Sequence, residues 1–186
     1  MSKIKENSGV LVQGHIKIHD PESGAVFVNK RNAIHYENMS IALAESVANQ
    51  GQGFISSMAF GNGGTSVDPT GIITYLTPNS TGTNASLYNQ TFTKIVDDRS
   101  VSNLDPQRNK IETRHVNGTN YTDVVVTCLL DYGEPNGQDA TDTASASDSL
   151  YVFDELGLVS YASSGTGKLL THVIFHPVQK SLNRLI

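Results

Sequence analysis

Leu150-Tyr151-Val152-Phe153-Asp154-Glu155-Leu156-Gly157-Leu158-Val159, followed by a glycine- and serine-rich gap and then Leu169-Leu170-Thr171-His172-Val173-Ile174-Phe175, is the stretch that decides the fold. Two apolar runs bracket residues that favour turns. The first reads as two short strands, or one bent strand, around Asp154-Glu155-Leu156-Gly157; Leu169–Phe175 reads as the last clear strand, interrupted by His176-Pro177. The segment is suited to pairing strands rather than to holding a substrate.

Outward from it, the same grammar repeats. Val10, Val12, Gly14, Ile16 and Ile18 alternate along a strand over 10–18, Asp20-Pro21-Glu22-Ser23-Gly24 is a turn, and Ala25–Val28 is the return strand. Asn109–Val116 and Tyr121–Leu130 flank Asn117-Gly118-Thr119-Asn120, a hairpin signature. Phe54–Phe60, Ile72–Leu76 and Thr91–Val96 complete the strands. One helix is expected over His35–Asn49, where Tyr36, Met39, Leu43 and Val47 fall at helical spacing, with Gly51 as its C-cap. Short strands at regular spacing, with one helix, predict a mainly β chain: an antiparallel β-sandwich or barrel-like domain with one packed α-helix. Residues 1–9 are read as a flexible N-terminal arm and 10–186 as a single β-rich domain carrying long loops at 77–90 and 132–149.

Composition narrows function. Of 186 residues, 17% are charged, and the net charge is −5. The nearest approach to a basic cluster is Lys30-Arg31, so neither a nucleic-acid surface nor a basic membrane-surface helix is expected. No apolar run approaches the length of a membrane-spanning helix. Met1–Asn7 lacks the apolar core of a signal peptide, so synthesis in a cytoplasm is expected. The one cysteine, Cys128, lies in Val124–Leu130 and reads as a small core residue.

Each chemical motif has a structural explanation that competes with it. Gly61-Asn62-Gly63-Gly64-Thr65 is glycine-rich but lacks the lysine of a phosphate loop, and no helical pattern follows; it reads as a turn. His15/His19 and His172/His176 are four apart, but on strands that separation is about 13 Å, beyond one metal with bonds near 2.1 Å. A cross-strand pairing of His15 with His172 stays open; otherwise surface or edge histidines are expected. Asp139, Asp142 and Asp148 could supply oxygens to calcium but lack the spacing of a calcium loop. Asp97-Asp98 and Asp154-Glu155 are adjacent on strands, where neighbours point to opposite faces, so neither pair is expected to form an acid–base site. Tyr88, Tyr121 and Tyr132 are the candidate stacking aromatics. The Asn-x-Ser/Thr triplets at Asn38, Asn79, Asn84, Asn89, Asn117 and Asn120 follow from composition. No catalytic, cofactor-binding or metal-binding residue is expected, and the chain is not expected to be an enzyme.

Three elements in fixed order carry a resemblance. Met58–Thr65 resembles the apolar-Gly-x-Gly-x-Thr segment of a group of tailed-bacteriophage virion proteins. Phe153–Leu158 is similar to their Glu-apolar-Gly-Leu-aromatic element, with Val159 where the aromatic usually stands. Leu169–Lys180 resembles their apolar-Phe-x-Pro-apolar-x-Lys strand, after which the group carries a further apolar strand; the sequence here ends at Ile186. The resemblance implies a structural part of the particle, in tail, baseplate, fibre or head surface. It implies copies of the chain itself and other virion proteins as partners, and no cofactor. Tail, baseplate or neck is favoured; capsid decoration and a carbohydrate-recognising receptor-binding module are the alternatives.

Overall fold

The computed structural model describes residues 9–135, 150–181 and 183–186. Among the described residues, ten strands and one helix follow in order: β1 Gly14–His19, β2 Val26–Ile34, α1 Tyr36–Val47, β3 Ile55–Gly61, β4 Thr65–Val67, β5 Ile73–Tyr75, β6 Gln90–Ile95, β7 Lys110–His115, β8 Thr122–Thr127, β9 Leu150–Ser160 and β10 Thr171–Ser181. The chain is mainly β, as expected. All ladders are antiparallel. Six strands form one sheet in the order β1-β2-β10-β9-β3-β6, and β4-β5 and β7-β8 form two-stranded ribbons. Residues 136–149 of the loop expected over 132–149, with Asp139, Asp142 and Asp148, and most of the expected N-terminal arm lie outside the described residues.

The quoted stretch supplies the two central strands. β9 and β10 are single eleven-residue strands, so the segment 150–160 is one strand rather than two. Pro177 does not end β10: the register against β9 shifts between Ile174 and Val178, and the proline sits inside that irregularity, where no ladder donor is required of it. The N-terminal strand begins later than expected, at Gly14; Val10 and Leu11 are exposed. β4 has no counterpart in the sequence reading, because three residues give too little periodicity to detect.

The central strands are buried on both faces. Along β3, Met58 and Phe60 turn to the main apolar cluster, with Phe153, Leu156, Val173, Phe175 and Val178, while Ala59 turns to a smaller one with Leu87 and Leu169. Phe153 is fully buried and meets Phe60 and Phe175 edge-on, at 5.5 and 5.7 Å between ring centroids, an arrangement that adds to the burial of area itself. Leu130 and Ile186 close the main cluster and exchange backbone hydrogen bonds with each other.

The helix departs from its sequence reading. Tyr36, Leu43 and Val47 are exposed, Met39 is half-buried, and the buried positions are Asn38 and Ala42. Its C-cap is Ala48, with Asn49 beyond it in a left-handed conformation, rather than Gly51. What attaches the helix is polar. The Asn38 side-chain amide donates to the Leu169 carbonyl at 2.9 Å, the His35 backbone N–H donates to Leu170 at 2.9 Å, and the His35 ring caps the first turn by accepting from the Asn38 N–H. A twelve-residue helix is marginal alone, so these anchors decide which face turns inward. Asn38→Ala should therefore cost about 1–3 kcal/mol by stranding a buried carbonyl. Val47→Lys should change stability by less than about 0.5 kcal/mol. Urea unfolding of both variants checks the orientation, and the reverse ranking would refute it.

Candidate functional site

Three distant segments, 61–65, 154–155 and 172, converge at one buried polar site at the end of β3. Asp154 and Glu155 are adjacent, yet both turn to the loop that follows β3, while Phe153 and Leu156 on either side join the same apolar cluster. This corrects the expectation that the two carboxylates face opposite ways: strand alternation breaks at this pair.

Both carboxylates are saturated. Asp154 Oδ1 accepts from the Gly64 N–H at 2.9 Å; its Oδ2 accepts from the Thr65 N–H at 2.9 Å and from the Thr65 hydroxyl. Glu155 Oε1 accepts from the N–H groups of Asn89 at 2.8 Å and Gly63 at 3.1 Å; its Oε2 accepts from the Tyr88 N–H at 2.9 Å. The fourth donor is His172. Its Nδ1 accepts from the Asn79 N–H at 2.8 Å, which puts the ring proton on Nε2, 3.0 Å from Glu155 Oε2. Glu155 and His172 are both fully buried. Burial pushes the Glu155 carboxyl up, but the His172 ring and the three backbone N–H groups outweigh it and hold the acid below its ordinary value of 4.5.

The glycines are fixed by close approach. A Cβ on Gly61 would lie 2.4 Å from the Asn89 carbonyl and 2.5 Å from Glu155 Oε1. One on Gly64 would meet Ile174 at 2.9 Å and Asp154 at 3.1 Å, and one on Gly157 would meet Leu169 at 2.5 Å. The glycine-rich loop is thus a turn, as expected, and its N–H groups at Gly63, Gly64 and Thr65 already serve protein carboxylates. A phosphate placed there would have to displace them.

On β10, the fully buried Lys180 donates to the carbonyls of Asp131 and Ser181, each at 2.9 Å. Burial lowers its pKa, against the opposing charges of Glu134 and Asp131. It therefore holds the segment after β8 against β10 rather than serving an anion. Cys128 is partly buried; burial pushes its thiol up to about 12, which suits packing and not nucleophilic attack.

The remaining candidates are dispersed. His15 bonds Asn29 and lies on β1, a whole strand away from His172 on β10, so that pairing does not form. His35 and His172 are fully buried, which corrects the expectation of surface histidines; each is satisfied, His35 reaching the Gly82 carbonyl at 2.9 Å. Asp97 is buried and bonds Arg99, while Asp98 is exposed. Tyr88 and Tyr132 hold separate partners through their hydroxyls, the Thr77 carbonyl and Glu22. Among the described residues no group of three His, Cys, Asp or Glu could hold a metal ion. Sequence reasoning missed the polar site because its donors are backbone groups of distant loops; the adjacent acids and the glycine run were its only trace. No family model, curated protein or solved structure matches the chain.

With its acid held low, Glu155 contributes stability that is fully present above about pH 4.5 and lost as pH falls through the lower folded value. Thermal melts between pH 7 and pH 3 should show this loss. Glu155→Gln should flatten that part of the profile and lower stability at pH 7 by about 2–4 kcal/mol, since an amide nitrogen then faces backbone donors. A pH profile unchanged by the substitution would refute the assignment.

Proposed function

We propose that this chain is a non-enzymatic structural component of a tailed-bacteriophage particle, assembling in multiple copies through strand edges and loops, in tail, baseplate or neck rather than on the head surface. The motifs that carry the resemblance support a scaffold role. Gly61–Thr65, Asp154-Glu155 and the β10 strand meet in one interlocked polar site whose acceptors are filled by backbone N–H groups, the Thr65 hydroxyl and the His172 ring, an arrangement that fixes shape.

The observation that carries the assembly reading is the β7–β8 ribbon. Among the described residues it packs closely against no other strand and not against the helix, and a lone two-stranded ribbon is marginal in water. Its base is nonetheless rigid. Asn109 is buried, accepting from the Leu129 N–H at 2.8 Å and donating to the Asp105 carbonyl, while Arg108 pairs with Asp105 and Asp131. Val116, Tyr121 and Val124 are exposed along the ribbon. Glu112 is flanked by Lys110 and Arg114, which hold its acid low, so the charges are largely matched within the ribbon and little unpaired charge must be desolvated on contact. The outer edges of β1 and β6 end the large sheet and offer further backbone groups for pairing.

Sedimentation of the purified chain should show concentration-dependent self-association that Val124→Glu weakens at least tenfold without lowering the melting temperature. A mass-spectrometric census of purified particles should recover the chain in multiple copies. A strictly monomeric chain, absent from the particles, would overturn the reading.

A further inference from the structure

The ladder between β2 and β10 contains only two residue pairs, Thr171↔Ile34 and His172↔Ala33. Beyond them the two strands part, and the seam between them opens as a cleft. The β4–β5 ribbon overhangs it: Tyr75 lines both of the adjoining hollows, of about 300 and 140 Å³, and its hydroxyl reaches His176 Nδ1 at 3.3 Å. Lys30 also lines both, and it is held in place, its ammonium donating to the Ile174 carbonyl across the opening at 2.8 Å.

The lining has a definite chemistry. Phe27, Val28 and Phe175 give the larger hollow an apolar wall, the Phe27 ring packing on the main cluster and carrying the Arg184 guanidinium at 4.6 Å; Asn29, Tyr75 and His176 add hydrogen-bonding groups around it. Lys30 and Arg31 supply two positive charges, and among the described residues no acidic one lines either hollow. In a chain of net charge −5 this is a local reversal of sign. Arg31 is exposed and, among the described residues, makes no hydrogen bond or ion pair, so its guanidinium can meet a carboxylate in two-pronged fashion. The larger hollow lies at the lower end of the size range of small-molecule sites, enough for one ring. An aromatic and apolar wall suits the CH face of a sugar, and the polar groups suit hydroxyls.

We propose that this cleft binds a sugar acid: one hydroxylated ring against the exposed Tyr75, its carboxylate toward Lys30 and Arg31. The inference is independent of the assembly reading, since it concerns the isolated chain.

The test is titration of the ¹⁵N-labelled full chain with sodium D-glucuronate, followed by amide shifts. Shifts should cluster on 28–31, 75–78 and 172–176, and D-glucose should produce none. Binding should weaken as salt is raised. Arg31→Gln, at an exposed position without a partner among the described residues, should weaken it about tenfold, the loss of one charge-assisted contact. A glucuronate-containing oligosaccharide distinguishes the source: tighter binding than the monosaccharide points to a surface polymer, and equal binding to the free acid, both sustaining the proposal. Absence of clustered shifts, an equal response to glucose, equal shifts with inorganic phosphate, or indifference to Arg31→Gln would each overturn it.

Discussion

Burying Asp154 and Glu155 side by side is the constraint on which much of this structure turns. Two carboxylates removed from water cost several kcal/mol each unless their lone pairs are met. Here seven donors meet them: backbone N–H groups of Gly63, Gly64, Thr65, Tyr88 and Asn89, the Thr65 hydroxyl and the His172 ring. Such charge-assisted bonds are stronger than neutral ones, but only while all donors are in place. The carboxylates therefore dictate the path of two loops. The loop after β3 must present consecutive N–H groups, which requires glycine where side chains would collide, and the long segment before β6 must end with Tyr88 and Asn89 at Glu155.

This arrangement couples the layers of the molecule. Phe153 and Leu156 carry the apolar core on one side of the acid pair, and β4 begins at Thr65, held by Asp154. The β4–β5 ribbon in turn brings Tyr75 over the open seam between β2 and β10. A packing element, a polar lock and the wall of a cleft are thus set by one pair of side chains on the central strand. The separate ribbon β7–β8 is governed differently. Its orientation comes from Asn109 and Arg108 at its base, and Val116, Tyr121 and Val124 along it are exposed.

Acids usually attract attention as candidate catalysts, and the same chemistry explains why these do not act as such. A general acid or base needs an exchangeable proton facing a substrate and a pKa near the working pH. Glu155 has neither: its oxygens face fixed donors, and its acid is held low. His172 is pinned in one tautomer by Asn79 and Glu155. These groups hold shape, and the recognition proposed above is assigned to the cationic seam and the exposed ribbon instead.

By itself the sequence determined the fold class. Alternating apolar residues and turn dipeptides specify antiparallel strands locally, as in the Asn117-Gly118 hairpin and the Asp20–Gly24 turn, where Asp20 accepts from the N–H groups of Glu22 and Ser23. Those signals lie within a few residues, so they are legible in one dimension. Tertiary structure alone decided the helix's inward face, because Asn38 and His35 anchor it to Leu169 and Leu170 across more than 130 positions. It also decided that neighbouring acids share one side, that β10 continues through Pro177, and that Lys30 and Arg31 border a cleft. Each depends on which distant backbone groups lie opposite, and no local periodicity encodes that.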